Sequence, residues 1–140
     1  MKHELTIKNN DLPYEYESLD NSSYLTHITI IRSYFYEEHL NYNEFANPLS
    51  KILRRHFPKL RKLTLEECEL DDTFFRLFSK SYSLRNLTTL KFIGVDSVIS
   101  FTQINILMNS KLISNLDKLW LGPLETHKDI FKVVLSSKNL

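Results

Sequence analysis

The run Leu60-Arg61-Lys62-Leu63-Thr64-Leu65-Glu66-Glu67-Cys68-Glu69-Leu70 constrains the fold of this chain more than any other part of it. Leu63 and Leu65 lie two residues apart, so in a strand both point to one face while Thr64 points to the other. Cys68 stands where such a strand has to turn. An Asn or Cys side chain there can bond to backbone groups that the turn would otherwise bury without partners. A unit of this size cannot cover its own apolar face, so the pattern is informative only if neighbouring copies exist to stack on it.

Copies do exist. Leu87, Leu90 and Phe92 occupy the first three apolar positions of one, and Leu116, Leu119 and Leu121 those of another. Leu25, Ile28, Ile30 and Phe35 make a third, with Ser33 at the turn position. Leu5, Ile7, Asn10 and Leu12 fit at the start, with Lys2 in the first apolar position. Asn139-Leu140 repeats the opening dipeptide of Asn86-Leu87 and Asn115-Leu116. First positions at Lys2, Leu25, Leu60, Leu87, Leu116 and Leu140 differ successively by 23, 35, 27, 29 and 24 residues. The long interval calls for an insertion, placed at Tyr36 to Phe45. Val95 and Leu124 replace the hydrogen-bonding residue of the turn, so irregular turns are expected there.

The segment from Leu60 to Leu70 matches the consensus L-x-x-L-x-L-x-x-N/C-x-L at every defined position. Over nearly its whole length the chain resembles the leucine-rich-repeat family. Its irregular spacing and Cys68 resemble the cysteine-containing intracellular type. The resemblance implies an α/β fold: a right-handed leucine-rich-repeat solenoid with a curved parallel sheet on the concave side and helices on the convex side. It implies a single domain over residues 1–140, with irregular repeats starting near 2, 25, 60, 87 and 116. The implied function is a non-catalytic protein–protein interaction module that holds a protein partner on its concave face. Substrate-recognition arms of F-box ubiquitin-ligase adaptors are common in this group, so such an arm is the specific expectation, although no F-box is found in this sequence. Leu140 would open a further strand with no polar cap behind it, which suggests a fragment of a longer array or a truncated product. An orphan scaffold that self-associates through its uncapped ends is the alternative.

The stretches between strands carry helix signals. Asn47-Pro48 reads as an N-cap with proline at the first helical position, followed by an apolar face of Leu49, Ile52 and Leu53 and stopped by Pro58. Arg54, Arg55 and His56 suit that helix's C-terminal end. Asp71 or Asp72 is expected to cap a helix that turns Phe74, Phe75 and Phe78 inward, and Ser100 one that carries Phe101, Ile104, Leu107 and Met108. Thr126 is placed as the cap of a last helix with Ile130, Phe131 and Val134.

Composition narrows the function. Eighteen Lys and Arg against 17 Asp and Glu give a net charge of +1, which argues against a nucleic-acid or anionic-membrane partner. The basic cluster from Lys51 to Lys62 is broken by Ile52, Leu53, Phe57 and Leu60, and reads as a solvated helix end. Two glycines, Gly94 and Gly122, are too few for a phosphate-binding loop. One cysteine excludes an internal disulfide. No apolar run approaches a membrane span, and Met1 to Asp11 carries no secretory h-region. The expectation is an intracellular protein, cytoplasmic or nuclear, in which the sequons at Asn21 and Asn86 have no role.

No catalytic constellation stands out. His3, His27, His39, His56 and His127 lack metal-ligand spacing, and Cys68 has no cysteine partner. The acidic run Glu66 to Asp72 reads as a solvated strand edge leading into a helix cap rather than a cation site. No metal and no cofactor are expected, and the chain is read as not an enzyme.

The repeat register then selects the residues of the open sheet face. Thr6, Thr29, Thr64, Lys91 and Trp120 form the middle lane. Glu4, His27, Lys62, Thr89 and Lys118 precede it, and Lys8, Ile31, Glu66, Ile93 and Gly122 follow it. Partner contacts are assigned to Trp120, Lys91, Lys118, Lys62, Ile31, Ile93, His27 and Thr64. Trp120 leads because tryptophan is enriched where binding energy concentrates. Shielding of the last sheet edge, or packing on Pro123, is the competing explanation for it.

Overall fold

A computed structural model describes residues 3–8, 22–35, 49, 52–53, 56–81, 84–94 and 99–121. Five strands form one all-parallel sheet: β1 (Glu4–Lys8), β2 (His27–Ile31), β4 (Lys62–Glu66), β6 (Thr89–Ile93) and β7 (Lys118–Leu121), side by side in chain order. Two further strands, β3 (Tyr34–Phe35) and β5 (Glu69–Leu70), pair in parallel as a separate short ribbon. Two α-helices are described from end to end, α1 (Asp72–Ser79) and α2 (Phe101–Met108). The architecture is therefore α/β, with each main strand lying beside the strand of the next copy.

The register is the one that the apolar spacing dictates. Leu5, Ile28, Leu63, Leu90 and Leu119 are aligned across the sheet, as are Ile7, Ile30, Leu65, Phe92 and Leu121. A shift of one residue in any strand would turn its apolar side chains to the opposite face. Ile28, Ile30, Leu63, Leu65, Leu90 and Phe92 are fully buried, together with Leu25, Leu60 and Leu87 at the first apolar position of their copies.

The helices cover that apolar face. Asp71 caps α1 by accepting the Phe74 backbone N–H at 2.9 Å, leaving Phe74, Phe75 and Phe78 buried. Phe74 stacks on Phe78 with ring centroids 5.4 Å apart, and Phe75 lies 5.6 Å from Phe92 of β6. Ser100 and Gln103 form a reciprocal capping box at the start of α2, each side chain bonding the other's backbone N–H at 3.2 Å. Ile104, Leu107 and Met108 are buried below it, while Phe101 is only half-buried. Leu49 and Ile52 are buried in helical backbone, as their apolar face requires. Their cap, Asn47-Pro48, lies outside the described residues, as do Asn10, the insertion at Tyr36 to Phe45, the turns at Val95 and Leu124 and the helix capped by Thr126.

Two features repeat from copy to copy in the backbone. The carbonyls of His3, Thr26, Arg61 and Thr88 each accept two N–H groups from the next copy, at the residue before its strand and the first residue of it. After the strand, Arg32, Glu67 and Gly94 occupy equivalent positions and all turn through positive φ, at 56°, 52° and 54°. Only Gly94 does so without steric cost. The Arg32 and Glu67 amides donate to Glu66 O and Ile93 O of the following copy, each at 2.8 Å, which helps to hold the strained turns. The side chains of Arg32 and Glu67 pair at 2.6 Å, an exposed contact of small net value.

Asn-Leu dipeptides add a third rung. The Asn86 side chain donates to Pro58 O at 3.0 Å, and Asn115 to Arg85 O at 2.7 Å. Each links a copy to its predecessor through a backbone acceptor.

Candidate partner-binding face

The sheet face opposite the helices carries the three lanes that the register selects. Across its middle run Thr6, Thr29, Thr64, Lys91 and Trp120, each paired with the next in register. On one side lie Glu4, His27, Lys62, Thr89 and Lys118, and on the other Lys8, Ile31, Glu66 and Ile93. Gly122 is outside the described residues.

Trp120 is 61% exposed. Leu119 and Leu121 on either side of it are half-buried and packed on the core, so the alternation of β7 places the indole on the open face. Lys91 is its register partner, and Lys118 shares its face two residues earlier along β7. Lys118 is exposed, whereas Lys62, Lys91, Ile31, Ile93 and His27 are half-buried. An exposed aromatic bordered by lysines and a branched aliphatic can desolvate an apolar group while a lysine receives an acidic one.

Thr64 departs from the expected exposure. It retains only 7% of its accessible surface. Its strand is central, and Thr29 and Lys91 flank it in register on both sides, so its short side chain lies below its neighbours. It shapes the face rather than projecting from it.

At the other end of the face His27 has polar neighbours within the chain. His27 Nδ1 lies 2.8 Å from Thr26 Oγ1 and 3.8 Å from Glu4 Oε1. Among the described residues no group of three or more His, Cys, Asp or Glu side chains is gathered as a metal site requires. None of their helices is long and apolar enough to cross a membrane.

Cys68 sits behind the sheet, fully buried. Its thiol donates to Ile30 O at 3.4 Å and to Glu66 O at 3.5 Å. Burial raises the thiol from 9.0 to about 11, only partly offset by hydrogen bonding to the backbone of Ser33, Glu66 and Arg32, and the charge of Glu66 adds to the rise. The result is a neutral donor that ties two adjacent copies together, the opposite of the electropositive, accessible setting that activates a nucleophilic cysteine.

Comparison of the chain with protein-family models gives no match, and comparison with the curated proteins gives no relative. The arrangement of side chains is accordingly what supports any functional reading.

Proposed function

We propose that the chain is a leucine-rich-repeat solenoid of the cysteine-containing type, and that it acts as a non-catalytic module holding a protein partner on its open sheet face. The exposed Trp120, set among Lys91 and Lys118 on a face whose other central residues are small or half-buried, is the observation that carries this reading. The parallel one-strand-per-copy sheet, the repeated carbonyl acceptors and the buried hydrogen-bonding Cys68 support the repeat assignment. The protonated, enclosed thiol supports a binding role over a catalytic one. The form of module that the resemblance supplies is the substrate-recognition arm of a ubiquitin-ligase adaptor, acting inside the cell.

Replacing a tryptophan hot spot by alanine costs about 2–4 kcal/mol of binding, or roughly 30-fold and upward in Kd. Affinity capture from a lysate of the source cell, run in parallel with the native chain and Trp120→Ala, should show a partner that the variant loses. The melting temperature should move by no more than about 1–2 °C, as for other exposed substitutions. Equal capture by both proteins, or a large fall in melting temperature, would remove the basis for this assignment. Dimers in light scattering with no captured partner would instead favour the self-associating scaffold.

A further inference from the structure

Three lysines gather on the open sheet face around Trp120. Lys62 of β4 and Lys118 of β7 lie in one lane with Thr89 of β6 between them, and Lys91 lies one lane over, in register with Trp120. Strand spacing and rise place the three Cα atoms roughly 8–10 Å from one another, within a Debye length of roughly 10 Å, so their fields reinforce. Among the described residues none of the three forms an ion pair or a side-chain hydrogen bond. Glu66 at the far end of β4 and Asp117 just before β7 pair with none of them.

Keeping an open sheet soluble is the simpler use of such lysines, and it does not account for their company. A face that needed only solubility would not set a 61% exposed tryptophan among them. At the other end of the same lane Glu4 stands 3.8 Å from His27, so acidic and basic groups are brought together there and the lysines are left without a counter-charge here. Like charges on neighbouring strands repel, a cost that a bound acidic group removes.

Building on the sheet face as the binding surface, we propose that this corner holds an extended acidic segment of a partner protein. A large apolar side chain lies over Trp120, and carboxylates stand two and four residues away from it. Alternate residues of an extended chain share a face and recur about every 6.6 Å. The diagonal from Trp120 to Lys62 is roughly 12 Å long by the same strand geometry. The first carboxylate then falls between Lys91 and Lys118 and the second at Lys62, with the short, half-buried Thr89 under the path. Charge complementarity of this sort guides encounter and rejects wrong partners.

Trp120 is the one tryptophan in the sequence, so its emission reports on this corner alone. The probe is the peptide Ser-Glu-Ser-Glu-Ser-Leu-Ser-Glu-Ser-Glu-Ser, symmetric about Leu so that either chain direction presents the pattern, added to the full chain. A saturable blue shift is expected, weakening as salt rises. By anisotropy of the fluorescein-labelled peptide, Lys91→Glu and the exposed Lys118→Glu should each weaken binding about tenfold or more. Lys80→Glu, the same charge change beyond the end of α1, should leave it unchanged, with circular dichroism unaltered in all three. Absence of a saturable shift at low salt would overturn the proposal. So would equal affinity for the peptide with Gln in place of Glu, which would leave the face a binding surface but not one for acidic segments, or for the peptide with Ser in place of Leu. A captured partner that Trp120→Ala loses and Lys118→Glu keeps would likewise sink the acidic segment alone, whereas one that Trp120→Ala keeps would remove the sheet-face reading itself. Tighter binding of oligothymidylate would assign the corner to nucleic acid, and dimers dissolved by Lys118→Glu would assign it to a second copy of this chain; either overturns the proposal.

Discussion

At the scale of single residues, Cys68 shows why a turn in this chain takes a thiol. A hydroxyl or amide in its place would bring a larger desolvation cost, while the weakly polar S–H accepts burial and still donates across the copy boundary to Ile30 O. The raised pKa has a consequence for stability. The native state holds this proton more tightly than the unfolded chain does, so the stabilisation is complete below the unfolded value and declines as pH climbs toward the folded one. With values of 9.0 and about 11, the loss between pH 7.5 and pH 10 is about 1.4 kcal/mol. Urea unfolding at the two pH values should show that extra loss in the native chain compared with Cys68→Ala, which shares every other titrating group. Equal losses in the two proteins would mean that the thiol ionises as it does in water. Arg32 and Glu67 carry a different residue-scale lesson. Their left-handed turns leave no mark in the sequence, because neither is glycine, and only Gly94 signals the conformation that all three adopt.

Elements were legible where a local signal and a tertiary demand agree. The alternation of Leu63-Thr64-Leu65 and its counterparts placed five strands and their mutual register, since any other alignment exposes the core side chains. The cap Ser100 was readable, and the other was narrowed to Asp71 or Asp72, because a short polar side chain ahead of an apolar helical face has one structural use; the structure selects Asp71. The β3–β5 ribbon was not readable: two-residue strands carry too little periodicity, and their pairing follows from the stacking of whole copies. The recurrence of Asn-Leu was visible, but its purpose was not, because the acceptors Pro58 O and Arg85 O lie 28 and 30 residues away along the chain. The burial of Thr64 likewise depends on both neighbouring strands. For the candidate face, sequence therefore supplied the lanes and their order, while side-chain height came only from packing. The α2 cap offers a direct check. Ser100→Ala should lower stability by about 1 kcal/mol in thermal unfolding. Gln103→Ala should cost a comparable amount, since Gln103 also bonds Asp72 Oδ1 of α1 at 2.9 Å. No loss in either variant would show that the first turn of α2 contributes nothing to the folded state.

For the whole molecule, the proposed stack of repeats makes stability an approximate sum of units and of contacts between nearest neighbours. The side chains already show a gradient along it. Leu63 and Leu65 in β4, and Leu90 in β6, are fully buried, whereas Leu5 in β1 and Leu119 and Leu121 in β7 are only partly so. β4 has a strand on each side, while β1 and β7 end the order of the sheet among the described residues. Local opening should therefore begin at the outer strands, where fewer apolar contacts are lost. Native-state hydrogen exchange should find the amides of β4 most protected, those of β2 and β6 close behind, and those of β1 and β7 exchanging through openings of lower free energy. Leu65→Ala, which removes apolar volume at the centre, should cost about 2–5 kcal/mol and speed exchange in β2, β4 and β6 together. A Leu5→Ala substitution, at the partly exposed edge, should accelerate β1 and leave β4 nearly unaffected. Uniform protection in all five strands, with both substitutions accelerating every amide equally, would mean that the sheet opens only as one unit, and the nearest-neighbour description would have to be given up.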